Sequence, residues 1–268
     1  MNRIQQISSR DNQKLKFVRA VRDGREASKI FVEGLRLCEE IFKTPIKIQF
    51  VCFTSKFLQT ARGQTLIELI STRKAELFEV EERIFDTLSD TKTSQGIILI
   101  ADKPEVGKEV IERCLSNNPL LLLLHKLNNP SNLGAILRTA EAVGVEGVIT
   151  TKGTTDVFAA KALRSGLGAN LLLPFWINAQ YSEVIEWAKE KNIKSVCADI
   201  RSNKSYLEID WKTPKLLVIG SEGHGLTDFE QNLTDESLVI PMANEVESLN
   251  AAVACGVILF ETKRQRNP

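Results

Sequence analysis

Apolar positions in this chain fall into short blocks that alternate between the period of a strand and that of an amphipathic helix. Residues 11–22 place Leu15, Val18 and Val21 on one helical face. Helices are likewise predicted over 35–42, 64–71 and 81–88, and strands over 30–32, 46–53, 77–80 and 95–101. Asp102, Lys103, Pro104 and Glu105, with the polar run to Asn118, break both periods and mark a linker over 103–118. The alternation then strengthens. Leu120 to Leu124 is an unbroken aliphatic run, as expected of a parallel strand covered on both faces. Further strands are predicted over 147–150, 171–175, 193–198, 216–219 and 238–240. Helices are predicted over 133–143, 158–163, 181–191, 228–232 and 249–264. The fold class is therefore α/β, with a parallel-sheet domain over 119–268 preceded by a small α/β domain over 1–102.

Composition narrows the picture. With 268 residues and 43% hydrophobic content the chain can bury full cores, and a net charge of +1 demands neither nucleic acid nor membrane. The distribution says more. Arg3, Arg10, Lys14, Lys16, Arg19, Arg22, Arg25 and Lys29 crowd the start against only Asp11, Asp23 and Glu26. A solvated helix face explains this, and so does a grip on a phosphate backbone. Cys38, Cys52, Cys114, Cys197 and Cys255 are odd in number and scattered, which suits reduced thiols in a cytoplasmic protein. His125 and His224 alone, without clustered cysteines, leave little for a metal site. No signal-peptide core or membrane-length apolar run is present.

Three polar loops follow predicted strand ends, the edge where open α/β sheets take ligands. The first, Asn128-Asn129-Pro130-Ser131-Asn132-Leu133-Gly134, leads into a helix carrying Arg138. Taken alone, this reads as an N-cap Asn132 and an Arg138 on a solvated face; the neighbours Ile136, Leu137, Ala140 and Val143 also suit an apolar setting, in which a guanidinium needs an anionic partner. The second, Gly220-Ser221-Glu222-Gly223-His224-Gly225-Leu226, is neither the dinucleotide fingerprint nor a P-loop. Its glycines admit a ligand against the backbone, and His224 reads as an exposed loop residue. The third runs from Ile240-Pro241-Met242 to Ser248-Leu249-Asn250. Pro241 stops the strand, and Ser248 is predicted to cap the closing helix.

Together and in this order, these loops resemble the SpoU (TrmH) family of the SPOUT superfamily, the S-adenosylmethionine-dependent RNA ribose 2′-O-methyltransferases. The family's Asn-x-Gly-x-x-x-Arg is matched by Asn132, Gly134 and Arg138, and its Gly-x-Glu-x-x-Gly by Gly220, Glu222 and Gly225. Its third motif is matched by Ile240-Pro241-Met242 and Ser248-Leu249-Asn250, with Ala251-Ala252 in place of the common Val-Ser. Residues 1–102 resemble, more weakly, the family's ribosomal-protein-like substrate-binding domain. The residues there are Ile7-Ser8-Ser9, Phe31-Val32-Glu33-Gly34 and Thr93-Ser94-Gln95-Gly96.

The resemblance implies a deep trefoil knot in the carboxyl-terminal domain, a homodimer with sites completed across the interface, and no metal. It implies S-adenosylmethionine held by Ala198, Gly220, Glu222, Gly225, Ile240, Met242, Leu249 and Asn250. Arg138, Asn132, Glu222, Ser248 and Asn250 become the catalytic set, with Lys14, Lys16, Arg19, Arg22 and Arg138 on RNA. A guanidinium with a pKa of about 12.5 or more is a poor base at neutral pH. Either an RNA phosphate prepares Arg138, or it orients the ribose while another group takes the proton; physical grounds favour the second. The size of the first domain favours ribosomal over transfer RNA. A non-catalytic RNA-binding or ribosome-assembly protein and a base methyltransferase remain the rival readings.

Overall fold

The structure, a computed structural model, describes residues 4–244 and 248–267. Arg3 of the basic cluster and residues 245–247 of the third loop lie outside the described residues. The chain divides into two compact units, Met1–Pro104 with Val157–Leu171, and Glu105–Asp156 with Leu172–Pro268.

In the first unit β1 (Ile4–Ile7), α1 (Gln13–Arg22), β2 (Lys29–Glu33), α2 (Leu35–Glu40), β3 (Ile48–Phe53), α3 (Ser55–Leu58), α4 (Ala61–Thr72), β4 (Glu76–Val80), α5 (Glu82–Phe85) and β5 (Ile97–Asp102) follow one another. They form a mixed sheet of order β1-β4-β3-β5-β2, in which β5 runs antiparallel to both neighbours. Asn12 caps α1 by accepting from the Lys14 amide. Leu15, Val18 and Val21 of α1 are buried in a core with Phe31, Phe50 and Phe78.

The second unit begins with α6 (Lys108–Cys114), which occupies the stretch expected to be a linker and buries Ile111. Next come β6 (Leu120–Leu124), α7 (Pro130–Val143) and β7 (Gly147–Thr151). All five leucines of β6 are buried, as the aliphatic run requires. The chain then forms α8 (Ala160–Gly166) and α9 (Ala169–Leu172). Most of this segment groups with the first unit rather than with the domain to which the sequence reading gave it. Ala160 packs on the first unit's core, and Arg164 donates to Asp90 at 2.7 Å. The extended stretch expected over 171–175 is instead the end of α9 followed by β8 (Phe175–Ala179).

α10 (Tyr181–Glu190), β9 (Lys194–Ala198), β10 (Lys215–Ile219), α11 (Asp228–Asn232), β11 (Glu236–Leu238) and α12 (Ala251–Arg266) complete the unit. The six strands run parallel in the order β11-β9-β10-β6-β7-β8. The strand order reverses between β6 and β10, so the crevice of a doubly wound sheet opens at their carboxyl ends. α7 and α12 pack on one another.

Candidate active site

The loops leaving β6, β9, β10 and β11 meet at this crevice. A cavity of about 690 Å³ is lined by Ala198 to Arg201, Ile219 to Asp228, Leu238 to Ile240, Met242, Ser248 and Leu249. Seven of the residues expected around a cofactor therefore surround one cleft: Ala198, Gly220, Glu222, Gly225, Ile240, Met242 and Leu249.

The glycine loop is shaped by its own backbone. Ser221 and Gly225 exchange amide–carbonyl hydrogen bonds of 3.1 and 2.9 Å, closing a tight turn around Glu222. Gly225 holds φ at +62°, which favours glycine. A Cβ on Gly220 would sit 2.5 Å from the Gly225 carbonyl carbon, so only glycine fits there.

The remaining site residues form a polar chain across three loops. The Asn132 side-chain amide donates to Glu222, whose other oxygen accepts from the Asn129 backbone N–H at 3.2 Å. The Asn132 oxygen accepts from Asn250 Nδ2 at 3.2 Å. Asn250 Oδ1 in turn accepts from the amides of Ala252 at 2.9 Å and Val253 at 3.4 Å. Asn250, rather than Ser248, is thus the N-cap of α12. Asparagine is as good a cap as serine and adds a donor that reaches the next loop. Asn129 caps α7, with Pro130 in its first turn and Asn132 following.

Of the two settings open to Arg138, the structure has the solvated face and not the apolar one. Its apolar neighbours face the core while the guanidinium is exposed and has no hydrogen bond or ion pair among the described residues. Six helical residues separate it from Asn132, about 9 Å along the axis and about 240° round it. The two side chains therefore leave the helix about 120° apart.

Sequence reasoning named Ala198 at the end of β9 but missed the charged residues of the loop that follows. Arg201 donates to both Asp199 oxygens and, at 2.6 and 2.7 Å, to Asp228 and Gln231 of α11, joining two walls of the cleft. The Arg201 hydrogen bonds hold the Asp199 carboxyl below its ordinary pKa. An acidic residue placed directly after a strand end was the available signal. Among the described residues no group of three or more His, Cys, Asp or Glu is arranged to hold a metal ion. Nor is any helix there long and apolar enough to cross a membrane.

The residues expected to grip RNA on α1 are mostly engaged within their own unit. Lys14 donates to Glu76 at 2.7 Å and lies over the rings of Phe50 and Phe78. Arg19 donates to the Arg10 carbonyl, and Arg22 to Asp23 and to the carbonyls of Thr87 and Leu88. Lys16 is exposed, 3.9 Å from Asp11.

Residues 119–260 match the SpoU rRNA Methylase family, and residues 12–99 match the MRM3-like substrate binding domain. A 23S rRNA (guanosine-2′-O-)-methyltransferase of Pseudomonas aeruginosa is 32% identical over 211 residues, 77% of this chain and 85% of its own. The 23S rRNA (guanosine(2553)-2′-O)-methyltransferase of Bacillus subtilis is 27% identical over 263 residues, 97% of this chain and 100% of its own. In three dimensions the chain is similar to an AdoMet-bound rRNA methyltransferase from Sinorhizobium meliloti. That structure is 25% identical and matches with a TM-score of 0.85, covering 97% of this chain and 98% of that one.

Proposed function

The chain belongs to the SpoU rRNA methylase family, and from that premise we propose that it transfers a methyl group from S-adenosylmethionine to a ribose 2′-hydroxyl of ribosomal RNA. The observation that carries this reading is the hydrogen-bonded chain Glu222–Asn132–Asn250 at the cleft. It brings one residue from each of three separated motifs to one place.

The cleft suits the cofactor on its own chemistry. Its volume of about 690 Å³ falls in the range of small-molecule sites. Asp199, Glu222 and Asp228 outnumber Arg201 among its ionised lining groups, which favours a ligand of net positive charge. Ala198, Gly220, Gly225, Ile240, Met242, Leu249 and Asn250 are the holding residues in this reading. S-adenosylmethionine supplies an electrophilic methyl whose leaving group is neutral, so the protein's task is alignment and proton removal. Glu222, Asn132, Ser248 and Asn250 fix the loops and the ribose. Arg138 orients the ribose and its phosphate as a permanent cation. Its exposure and turn away from Asn132 support a site completed by a second copy, in a cytoplasmic homodimer. In this reading the loops around 220–226 and 240–244 belong to the trefoil knot of the family. The first domain grips the RNA through phosphates, with Lys14, Lys16, Arg19 and Arg22 as its cations.

The test combines calorimetric titration of S-adenosylmethionine with nucleoside mass spectrometry of ribosomal RNA incubated with the protein. The expected product is a 2′-O-methyl nucleoside. A base-methylated nucleoside, methylated transfer RNA alone, or absence of cofactor binding would overturn this assignment.

A further inference from the structure

Behind the cleft, a cluster of titratable side chains takes no part in the reading above. Glu230, on α11, is largely buried, and its carboxylate is shared between two loops. One oxygen accepts from the Thr227 amide and hydroxyl, each at 2.9 Å. The other accepts from Lys126 Nζ at 3.0 Å. The Glu230 amide donates back to Thr227 Oγ1 at 3.2 Å, completing a capping box.

His125, 3% exposed, extends the cluster. Its Nε2 lies 2.8 Å from Glu230 Oε1, off the line of a good hydrogen bond. Its Nδ1 is 3.0 Å from Thr151 Oγ1, which also accepts from the Lys126 amide at 3.2 Å. The Tyr181 hydroxyl donates to the Glu230 carbonyl at 3.0 Å and its ring stands edge-on to His125. Burial alone would raise the Glu230 pKa. Hydrogen bonds from Thr227 and Lys126, with the charge that His125 takes on at low pH, outweigh it and hold the carboxyl at about 2. Burial pushes His125 below its ordinary value, so at neutral pH a carboxylate faces one ammonium and a neutral ring.

The position of this cluster gives it a role. Thr227 lines the cleft and ends the glycine loop that carries Glu222. His125 and Lys126 begin the loop that leads to Asn132, and the His125 amide donates to the Ile219 carbonyl at 2.9 Å, where the glycine loop starts. The two loops are therefore joined at their bases by His125 and Ile219, at the cleft by Asn129 and Asn132 with Glu222, and at the rear through Glu230. A carboxylate serves because it accepts from donors on both sides at once, which an amide cannot.

We propose that Glu230 is a positioning residue for methyl transfer, setting the register of the glycine loop against the loop of Asn132 by bridging Thr227 to Lys126. This rests on the methyl-transfer reading. Wild-type protein that modifies no RNA would defeat that reading, whereas the comparisons below test Glu230 within an active enzyme.

Glu230→Gln keeps the side-chain length but can satisfy only one set of donors. Single-turnover transfer is measured at saturating S-adenosylmethionine and RNA, well below the melting temperature, and expressed per cofactor-bound site. The expected loss is about tenfold or more, since misplacing reacting groups by an ångström costs up to about a hundredfold. Hydrogen exchange of the cofactor-bound protein should quicken in segment 127–133 as well as in 220–227. A residue that merely stabilises the fold would lower the melting temperature and leave the rate per bound site unchanged. A rate within about twofold of wild type, or unaltered exchange in 127–133, would overturn the proposal. Should Glu230→Gln fail to fold, Lys126→Met removes one arm of the bridge from an exposed side chain. The same two readouts then apply, with an expected loss of about threefold, and an unchanged rate overturns the proposal.

Discussion

Asn250 does two separable jobs, and substitutions can divide them. Its Oδ1 caps a 16-residue helix, and its Nδ2 reaches Asn132 at 3.2 Å. Asn250→Ala removes both. Losing an Asn cap costs about 1 kcal/mol, and the exposed neutral hydrogen bond to Asn132 is worth about 0.5–1 kcal/mol net. The sum is about 1.5–2 kcal/mol, which for a unit of about 150 residues lowers the melting temperature by about 3–8 °C. Asn250→Ser restores a capping oxygen but no donor within reach of Asn132, so its melting temperature should fall by only about 1–4 °C. Transfer should behave differently. Both variants free Asn132 from one side and let it turn away from Glu222, so both should lose about tenfold or more in single-turnover rate at saturating cofactor. Thermal melts and radiolabelled methyl transfer, run side by side, read the two effects. Were Asn250→Ser to transfer at the wild-type rate, the Asn132 link would have no part in catalysis. Were Asn250→Ala to melt with wild type, the cap would carry no stability.

Other expectations follow from the same geometry. Arg138→Ala should bind S-adenosylmethionine normally and transfer no methyl. Mixed with inactive Asn132→Ala and re-equilibrated, it should recover roughly a quarter of wild-type activity if each site draws on two copies; no recovery would place the whole site in one chain. Lys14→Glu with Lys16→Glu should weaken RNA binding and shallow the slope of log K against log salt by about 0.7–0.9 per lost phosphate contact. Filter binding at low and high salt reads this, and an unchanged slope removes both lysines from the interface. Stability should fall as pH drops below about 6.5, the ordinary value for His. There the unfolded His125 takes up a proton that the buried ring, with its lowered pKa, refuses until lower pH. Urea midpoints at pH 7.5 and 5.5 should show this in wild type and less of it in His125→Asn. Glu230, held at about 2, adds a second loss only as pH falls from about 4.5 toward that value.

What was legible in the sequence, and what was not, follows the range of the forces involved. The β6 leucines, the α1 face of Leu15, Val18 and Val21, and the glycine loop are written in local period and backbone chemistry, and the structure has them where the pattern put them. Boundaries set by competition between neighbours were not legible. Ser248 and Asn250 both suit an N-cap, and the bond from Asn250 to Asn132 exists only once two distant loops meet. α6 was hidden because its only fully buried apolar residue is Ile111, too little for a periodic signal. The Arg201 bridge and the Glu230 cluster join residues far apart in sequence, and no local rule couples them. The grouping of α8 with the first unit is of the same kind, with Ala160 on that unit's core and Arg164 on Asp90.

The exposure of Arg138 also constrains the chemistry. Had the guanidinium been buried among Ile136, Leu137 and Ala140, it would need an internal anion and would be spent on structure. Exposed and without a partner among the described residues, it retains its full charge for an incoming phosphate or ribose. It also projects about 120° away from Asn132 around their shared helix. α12, packed against α7, exposes Val253 at 54% and Phe260 at 56%, apolar surface of the sort a symmetric contact covers. A two-fold contact on this pair of helices would place Arg138 of each copy at the other's disposal. An arginine that arrives with the second subunit would tie activity to assembly, so that a lone chain holds the cofactor without the means to spend its methyl group on stray hydroxyls.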